Sequence, residues 1–266
     1  MQCLNRWRHL RAAALISLIL LSAGCSSDPG AVLFESDDLR ITSVGVWGAN
    51  VFIVDRNGRR LMIDAANPGD EQEIEKRMRA QDIDPASIDY LILTHGHLDH
   101  GGTAAYFQGT YGIEVIGGEG DVPMTLRGGR DDVCPTGMLA RLILRIGGGR
   151  TYPSFAIDIP IAGDFDLASF GIDGRILHWP GHTPGSVLIV FDDQVFVGDL
   201  IRGGILANET PVTHFFMCDL ADNREKIRRL VDMPEFKRWY PGHFGPLTPQ
   251  SVRAYLERPN DVKATR

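Results

Sequence analysis

An α/β or α+β fold is predicted by two observations. Apolar runs of strand length recur in both halves of the chain, and segments of helical period separate them. The chain has 266 residues and 44% are hydrophobic, which suits one large globular unit. Leu39 to Val46 and Asn50 to Asp55 alternate as strands do, Arg56-Asn57-Gly58 is a hairpin turn signal, and Arg60 to Asp64 returns as a third strand. Asp70 to Ala80 reads as a helix, acidic early and basic late at Lys76, Arg77 and Arg79. Tyr90 to Thr94 is a short apolar run that reads as a buried strand. Glycine and proline punctuate Gly117 to Gly149. Within that stretch Met138, Leu139, Leu142, Ile143 and Ile146 share one helical face, with Arg141 and Arg145 on the other. That helix is either a lid over a site or part of the core. Ile157 to Ile161, Arg175 to His178, Ser186 to Phe191 and Gln194 to Val197 read as strands, and Asp222 to Val231 as a helix.

The most informative stretch is Thr94-His-Gly-His-Leu-Asp-His-Gly-Gly102. It places His95, His97, Asp99 and His100 within six positions. Imidazole and carboxylate together suit Zn, Mn or Fe. Ligands on one helical face need three or four residues between them, so this spacing predicts a loop wrapped around metal. Gly101 and Gly102 follow, then Thr103, a helix cap by composition. A ligand loop between a strand end and a helix start is a common catalytic position.

This stretch resembles the first metal motif of the metallo-β-lactamase superfamily. Three further segments resemble the later motifs in the same order: Trp179-Pro-Gly-His182-Thr-Pro-Gly-Ser186, Val195-Phe-Val-Gly-Asp199 and Tyr240-Pro-Gly-His243. Ile83-Asp84-Pro85 and Ile88-Asp89 lead into the ligand strand as they do in the family, and the likeness runs from about Leu39 to about Leu256. The resemblance implies a four-layer αββα sandwich. It also implies two divalent metal ions, zinc first, with Mn or Fe as alternatives. His95, His97 and His182 would hold metal 1, and Asp99, His100 and His243 would hold metal 2. Asp199 would bridge them, and Asp99 would also relay a proton. Five of the eight histidines fall in these motifs. Asp64, at the end of its strand, is the candidate to orient a ligand imidazole, with a surface turn as the alternative.

Residues 1–24 read as a secretory leader. Arg6, Arg8 and Arg11 precede an uncharged, mostly apolar run from Ala12 to Ala23, too short for a span, which needs about 20 residues. Leu21-Ser-Ala-Gly-Cys25 resembles a bacterial lipoprotein processing site. That resemblance implies that Cys25 is lipidated, and Ser26 points to the outer membrane. Residues 25–38 are then the lipidated cysteine and tether, and 39–266 the domain. Removing three basic residues with the leader leaves 24 Lys and Arg against 34 Asp and Glu, a net charge of −10. That balance disfavours nucleic acid as a partner. The expected partners are a small-molecule substrate and, through Cys25, a membrane. No protein partner is inferable. Cys134 and Cys218 remain, in a compartment that permits disulfides, and two buried thiols are preferred to a bridge.

Other residues carry paired readings. Trp47 packs in the core or overhangs the site. His214 is structural or reaches substrate, with the structural reading preferred. Arg202 meets an anionic substrate or faces water, and His178 is a strand histidine without catalysis.

Among the reactions of the family, the resemblance favours an ester, thioester or lactone. β-Lactamases with this motif usually lack a bridging aspartate at the position of Asp199. Thioesterases of the glyoxalase II type carry a helical domain after the last ligand, and 23 residues follow His243 here. Lactonases of the quorum-quenching type have a tyrosine where Arg202 falls. A periplasmic β-lactamase, a mononuclear iron dioxygenase and a non-catalytic metal-binding lipoprotein are the alternatives.

The leader reading makes one prediction. Cys25→Ala blocks processing, leaves a longer precursor and removes labelling by a fatty-acid probe. Unchanged labelling or an unchanged mature mass would rule out the anchor.

Overall fold

The computed structural model describes residues 30–46, 48–129, 133–147 and 149–258. The leader, Cys25 and Trp47 lie outside the described residues.

Seven strands form the first sheet in sequential order: β1 (Ala31–Glu35), β2 (Leu39–Ser43), β3 (Phe52–Arg56), β4 (Arg59–Ile63), β5 (Tyr90–Ile92), β6 (Glu114–Gly118) and β7 (Ile159–Ile161). The first four are antiparallel and the last three add in parallel. The β3–β4 hairpin turns at Asn57 and Gly58, both at positive φ (52° and 79°), as the Asn-Gly signal requires. Strand β1 occupies residues expected to be tether, and its pairing with β2 brings the sheet's start forward to Ala31. The crossovers between parallel strands are helical. They are α1 (Glu71–Arg79), then α2 (Leu98–Gly101) with α3 (Ala104–Tyr111), then α4 (Val122–Leu126) with α5 (Met138–Gly147).

The second sheet is built from β8 (Phe165–Asp166), β9 (Arg175–His178), β10 (Val187–Phe191), β11 (Gln194–Gly198) and β14 (Arg238–Pro241). Its order is β14-β11-β10-β9-β8, with β11 and β14 parallel. A small ribbon pairs β12 (Arg202–Gly203) with β13 (Pro211–Val212). Helices α6 (Leu220–Val231) and α7 (Pro249–Glu257) complete the chain.

Three apolar cores make four layers. Ile41, Val54 and Ile63 on one face of the first sheet meet Ile176, Ile189 and Phe196 of the second. Val51, Ile53 and Leu91 on the opposite face of the first sheet meet Ile74 and Met78 of α1 and Phe107 of α3. Leu188, Val190 and Trp239 on the outer face of the second sheet meet Ile227 and Leu230 of α6 and Val252 of α7. Alternation along each strand thus supplies both faces, and helical spacing supplies the covers. Far from the carboxyl ends of the parallel strands, buried Arg56 joins the sheets. Its guanidinium reaches Asp192 at 2.8 Å and Asp173 at 2.7 Å.

Cys134 and Cys218 form a disulfide, with their Cα atoms 4.8 Å apart. This corrects the expectation of two buried thiols, since the sequence does not carry the geometry that brings residues 84 positions apart together. Met217 donates to the Cys134 carbonyl (2.8 Å), and an isolated bridge pairs Pro135 with Phe216, so backbone pairing delivers the two sulfurs.

Closing so long a loop restricts the unfolded chain. Replacing both cysteines by serine is predicted to lower unfolding stability by about 2–4 kcal/mol. Denaturant titration of wild type and variant, with and without reductant, checks this. Equal midpoints in all four would contradict it.

Candidate metal centre

Parallel strands of open sheets present ligands beyond their carboxyl ends. Here both sheets do so toward one point. Asp64 follows β4, the His95–His100 motif follows β5 and Asp121 follows β6 in the first sheet. Asp199 follows β11, and His243 follows β14, in the second. His182 lies in the turn between β9 and β10.

The motif is a loop only as far as His97. Helix α2 begins at Leu98, so Asp99 and His100 fall in its first turn, a difference from the loop expected over the whole stretch. His95 and His97 approach from the extended part, and Asp99 and His100 from the helical part.

Two carboxylates outside the expected ligand set fix this geometry. Asp64, buried and at φ 59°, accepts from Thr94 N (2.8 Å), from Thr94 Oγ1 (2.8 Å) and from His100 Nδ1–H (2.8 Å). The last bond leaves His100 Nε2 directed at the centre. Asp64 is therefore an orienting group, not a surface turn. Asp121, missed in the sequence reading, accepts from Gly96 N (2.8 Å), Thr183 Oγ1 (2.7 Å) and Gly185 N (2.8 Å). It ties the His95–His97 loop to the His182 turn. His243 donates from Nδ1 to the Gly48 carbonyl at 2.7 Å, which again frees Nε2. Gly242 is required beside it, because a Cβ there would lie 2.4 Å from His100 Cε1 and 2.6 Å from Asp199 Oδ1.

The seven expected residues come together in two groups around Asp199. Its Oδ2 faces His182 Nε2 at 3.4 Å and His95 Nε2 at 3.7 Å. His97 Nδ1 lies 2.9 Å from His182 Nε2. Oδ1 faces His100 Nε2 at 3.4 Å and His243 Nε2 at 3.5 Å, and Asp99 Oδ2 is 3.3 Å from His243 Nε2. Each group has its donor atoms within 4.8 Å of one another. Buried His95 Nε2, His100 Nε2 and Asp199 Oδ1 have no hydrogen-bond partner. Orphaned polar atoms of this kind are costly unless something else satisfies them. Imidazole and carboxylate donors suit a divalent cation, so these residues fit metal ions.

Electrostatics differ between the two groups. Burial pushes His95, His97 and His182 below the usual imidazole range. Burial also acts on His100, but Asp199 and Asp64 outweigh it and raise that imidazole. Against the same penalty, Asp199 and Asp99 carry His243 up to about 10. Burial opposes ionisation of Asp99, yet His100 and His243 hold it well below the usual carboxylate range.

His214 belongs to the centre, which corrects the structural reading. Its Nε2 lies 2.9 Å from Asp199 Oδ2, and its ring stacks on His243 with centroids 5.3 Å apart. No spacing signature marks it, since it enters from the segment after β13. Arg202 does not face water, one of its two expected readings. It is buried, with its guanidinium 3.8 Å over the Phe215 ring and Nη1 donating to Gly203 O at 2.9 Å. His178 pairs within β9 opposite Val187 and is not brought to the centre.

Comparison with known proteins shows the family and the fold. The sequence profile described as the metallo-beta-lactamase superfamily matches residues 44–243. The chain is 27% identical to a beta-lactamase-like protein 2 homolog of Drosophila melanogaster over 76% of this chain and 60% of that protein. It is 28% identical to a hydroxyacylglutathione hydrolase of Alkalilimnicola ehrlichii over 71% and 59%. The chain thus spans about three fifths of the length of these curated relatives. In fold it is similar to a metallo-beta-lactamase of Cronobacter sakazakii, with TM-score 0.60, 17% identity and coverage of 84% of this chain and 81% of that one. It is likewise similar to a subclass B3 metallo-beta-lactamase of Bradyrhizobium japonicum, with TM-score 0.55, 20% identity and coverage of 86% and 83%.

The two groups differ in protonation, and this makes a prediction. A metal takes neutral imidazole, so metal binding to a protonated histidine releases its proton. At pH 7 His100 and His243 are charged in the metal-free chain, whereas His95, His97 and His182 are already neutral. Loading the Asp99–His100–His243 group releases about two protons, and its affinity climbs with pH until His243 deprotonates at about 10. Indicator absorbance during zinc titration in weak buffer measures this. No proton release at saturation would contradict the assignment.

Proposed function

We propose that this chain, which belongs to the metallo-beta-lactamase superfamily, is a dinuclear metal hydrolase of thioesters and carboxyl esters. The observation that carries the reading is the placement of Asp199. One oxygen faces His95 and His182, and the other faces His100 and His243. We assign His95, His97 and His182 to one ion, and Asp99, His100 and His243 to the other. Asp199 stands between them. Five imidazoles favour zinc over manganese or iron as the native ion.

Metal ions held by these residues would supply the chemistry of acidifying a water, from 15.7 to about 7, and of polarising an acyl oxygen. The chain's own residues do the rest. Asp99 is ionised beside His100 and His243, so it can take the proton of the attacking water at a carboxylate oxygen. It can return that proton to the departing thiolate or alkoxide as the acyl carbon–heteroatom bond breaks. His214 Nε2, 2.9 Å from Asp199 Oδ2, holds that carboxylate in place.

Support for a thioester or ester carbonyl comes from the relatives named hydroxyacylglutathione hydrolase and from the carboxylate at Asp199. We further propose that the protein works in the cell envelope, anchored through Cys25. A disulfide between Cys134 and Cys218 is consistent with an oxidising compartment.

The test is a comparison of kcat/KM on metal-reconstituted protein. The substrates are acyl thioesters, acyl esters, lactones, nitrocefin and a phosphodiester, alongside elemental analysis. About two metals per chain and a preference for carboxyl (thio)esters are expected. Asp99→Ala lowers turnover on the order of 10²–10⁴-fold with the fold intact. A ceiling of one metal, or nitrocefin or the phosphodiester ahead of every carboxyl substrate by tenfold (about 1.4 kcal/mol), overturns the reading.

A further inference from the structure

Helix α5 turns its apolar side outward. Ala140 is buried and Leu144 half-buried, so these two, one turn apart, make the packed face. Met138 (86% exposed), Leu139, Leu142, Ile143 and Ile146 (80%) face away from it. The amphipathic pattern in the sequence therefore describes an uncovered surface and not a core. Ile205 and fully exposed Leu206 are further exposed apolar side chains, on the turn after β12.

Both segments are fixed to the metal centre. Thr136, just before α5, donates through N to Phe215 O (2.8 Å) and through Oγ1 to His214 O (2.8 Å). The Cys134–Cys218 bridge locks the same junction. Gly203 donates to the His243 carbonyl, and Gly245 to Asn208 O, which holds the Ile205–Leu206 turn against the His243 loop.

The chain also enters the fold at this end. Strand register aligns Ala31 with Ser43, Ser43 with Phe52, Phe52 with Ile63 and Ile63 with Ile92. Ile92 is followed two and three residues later by Thr94 and His95. The first residue of the sheet therefore lies in the row that leads into the metal motif. Five residues, Ser26 to Gly30, separate Cys25 from Ala31. Fully extended, that length reaches about 20 Å. A lipid on Cys25 would hold the metal end of the domain, not the Arg56 end, near the bilayer.

Charge supports the same occupant. Residues Met138 to Gly147 carry two arginines, Arg141 and Arg145, and no acid, in a chain with 34 acidic and 27 basic residues. A short helix with an apolar stripe beside arginines matches an interfacial helix on an anionic lipid surface.

We infer that the outward face of α5, with the Ile205–Leu206 turn, docks on an anionic phospholipid surface and sets the metal centre at the membrane interface. The inference takes its bilayer from the Cys25 anchor proposed above, but the helix face can be tested without the anchor. All three cores lie within residues 39–252, so a chain starting at Ser26 keeps every described element. That chain is floated with vesicles of phosphatidylethanolamine and phosphatidylglycerol (3:1), and separately with phosphatidylcholine alone. Leu142→Glu/Ile146→Glu serves as the comparison.

Wild type should partition onto the phosphatidylglycerol vesicles at least tenfold more than the double variant, and lose that binding as salt rises from 0.05 to 0.5 M. Both proteins should melt at the same temperature and hydrolyse a soluble ester equally. Wild type left in solution with every vesicle, or a double variant that binds as well, overturns the inference. So does a wild-type dimer in sedimentation velocity that the variant disperses without any vesicle binding, since a second copy then covers the face. None of these outcomes bears on hydrolysis of the soluble ester, so this inference and the hydrolase reading fail separately.

Discussion

Everything in this molecule depends on keeping one buried carboxylate ionised. Asp199 is almost fully buried, and burial alone would push its proton affinity up steeply. Imidazoles of His214, His243 and His100 hold it well below the usual carboxylate range instead. A charge left uncompensated at this depth would cost several kcal/mol. His100 follows a strand of the first sheet, His243 follows one of the second and His214 comes from the segment after β13, so the sandwich must close before the charge is satisfied. The fold and the centre are thus one construction. The inter-sheet core brings β5 and β11 face to face, and that contact places His95 and His100 opposite Asp199.

A second pair of carboxylates translates strand position into side-chain direction. Asp64 begins the crossover after β4 and Asp121 the crossover after β6, on either side of the strand that carries the His95–His100 motif. Asp64 grips Thr94 and His100 together, and Asp121 grips Gly96 and the Thr183–Gly185 turn. Each buried acid is saturated with donors, as burial demands. The consequence is directional. His100 has its Nδ1 committed to Asp64, so only Nε2 can face the centre, and the His182 turn cannot drift from the His97 loop without breaking bonds to Asp121. Partners of this kind usually shape affinity nearly as much as the ligands themselves.

His95, His97, Asp99 and His100 were legible because metal chemistry restricts both residue type and spacing. His182, Asp199 and His243 were legible only through the resemblance of their segments to the family's later motifs. The strands were legible because alternation reports a half-buried sheet, and the hairpin because Asn57-Gly58 suits a turn with positive φ. His214 was not legible. It lies in Thr-His-Phe-Phe, reaches Asp199 from an irregular segment, and has nothing periodic to announce it. Asp121 was hidden in a Gly-rich stretch where its three donors come from segments up to 64 residues away. The disulfide was undecidable for the same reason, since its geometry is delivered by a backbone bridge between Pro135 and Phe216.

Helix α5 shows a different limit. Periodicity correctly assigned a face to Met138, Leu139, Leu142, Ile143 and Ile146, but a hydrophobic period says only that a face is apolar. It does not say whether protein, lipid or another copy covers it. In this chain the packed side is Ala140 and Leu144, a thin contact for a ten-residue helix. The helix holds its place through the Thr136 hydrogen bonds and the Cys134–Cys218 bridge more than through burial. That division has a functional meaning. The expected ligands sit at strand ends, while the segments at 133–147 and 203–218 are tied to the loops that carry His214 and His243. Structures similar in fold at 17–20% identity therefore speak for the fold and not for the substrate. The outward face of α5 is apolar with Arg141 and Arg145 beside it, and the segment before it is covalently stitched to the one that carries His214.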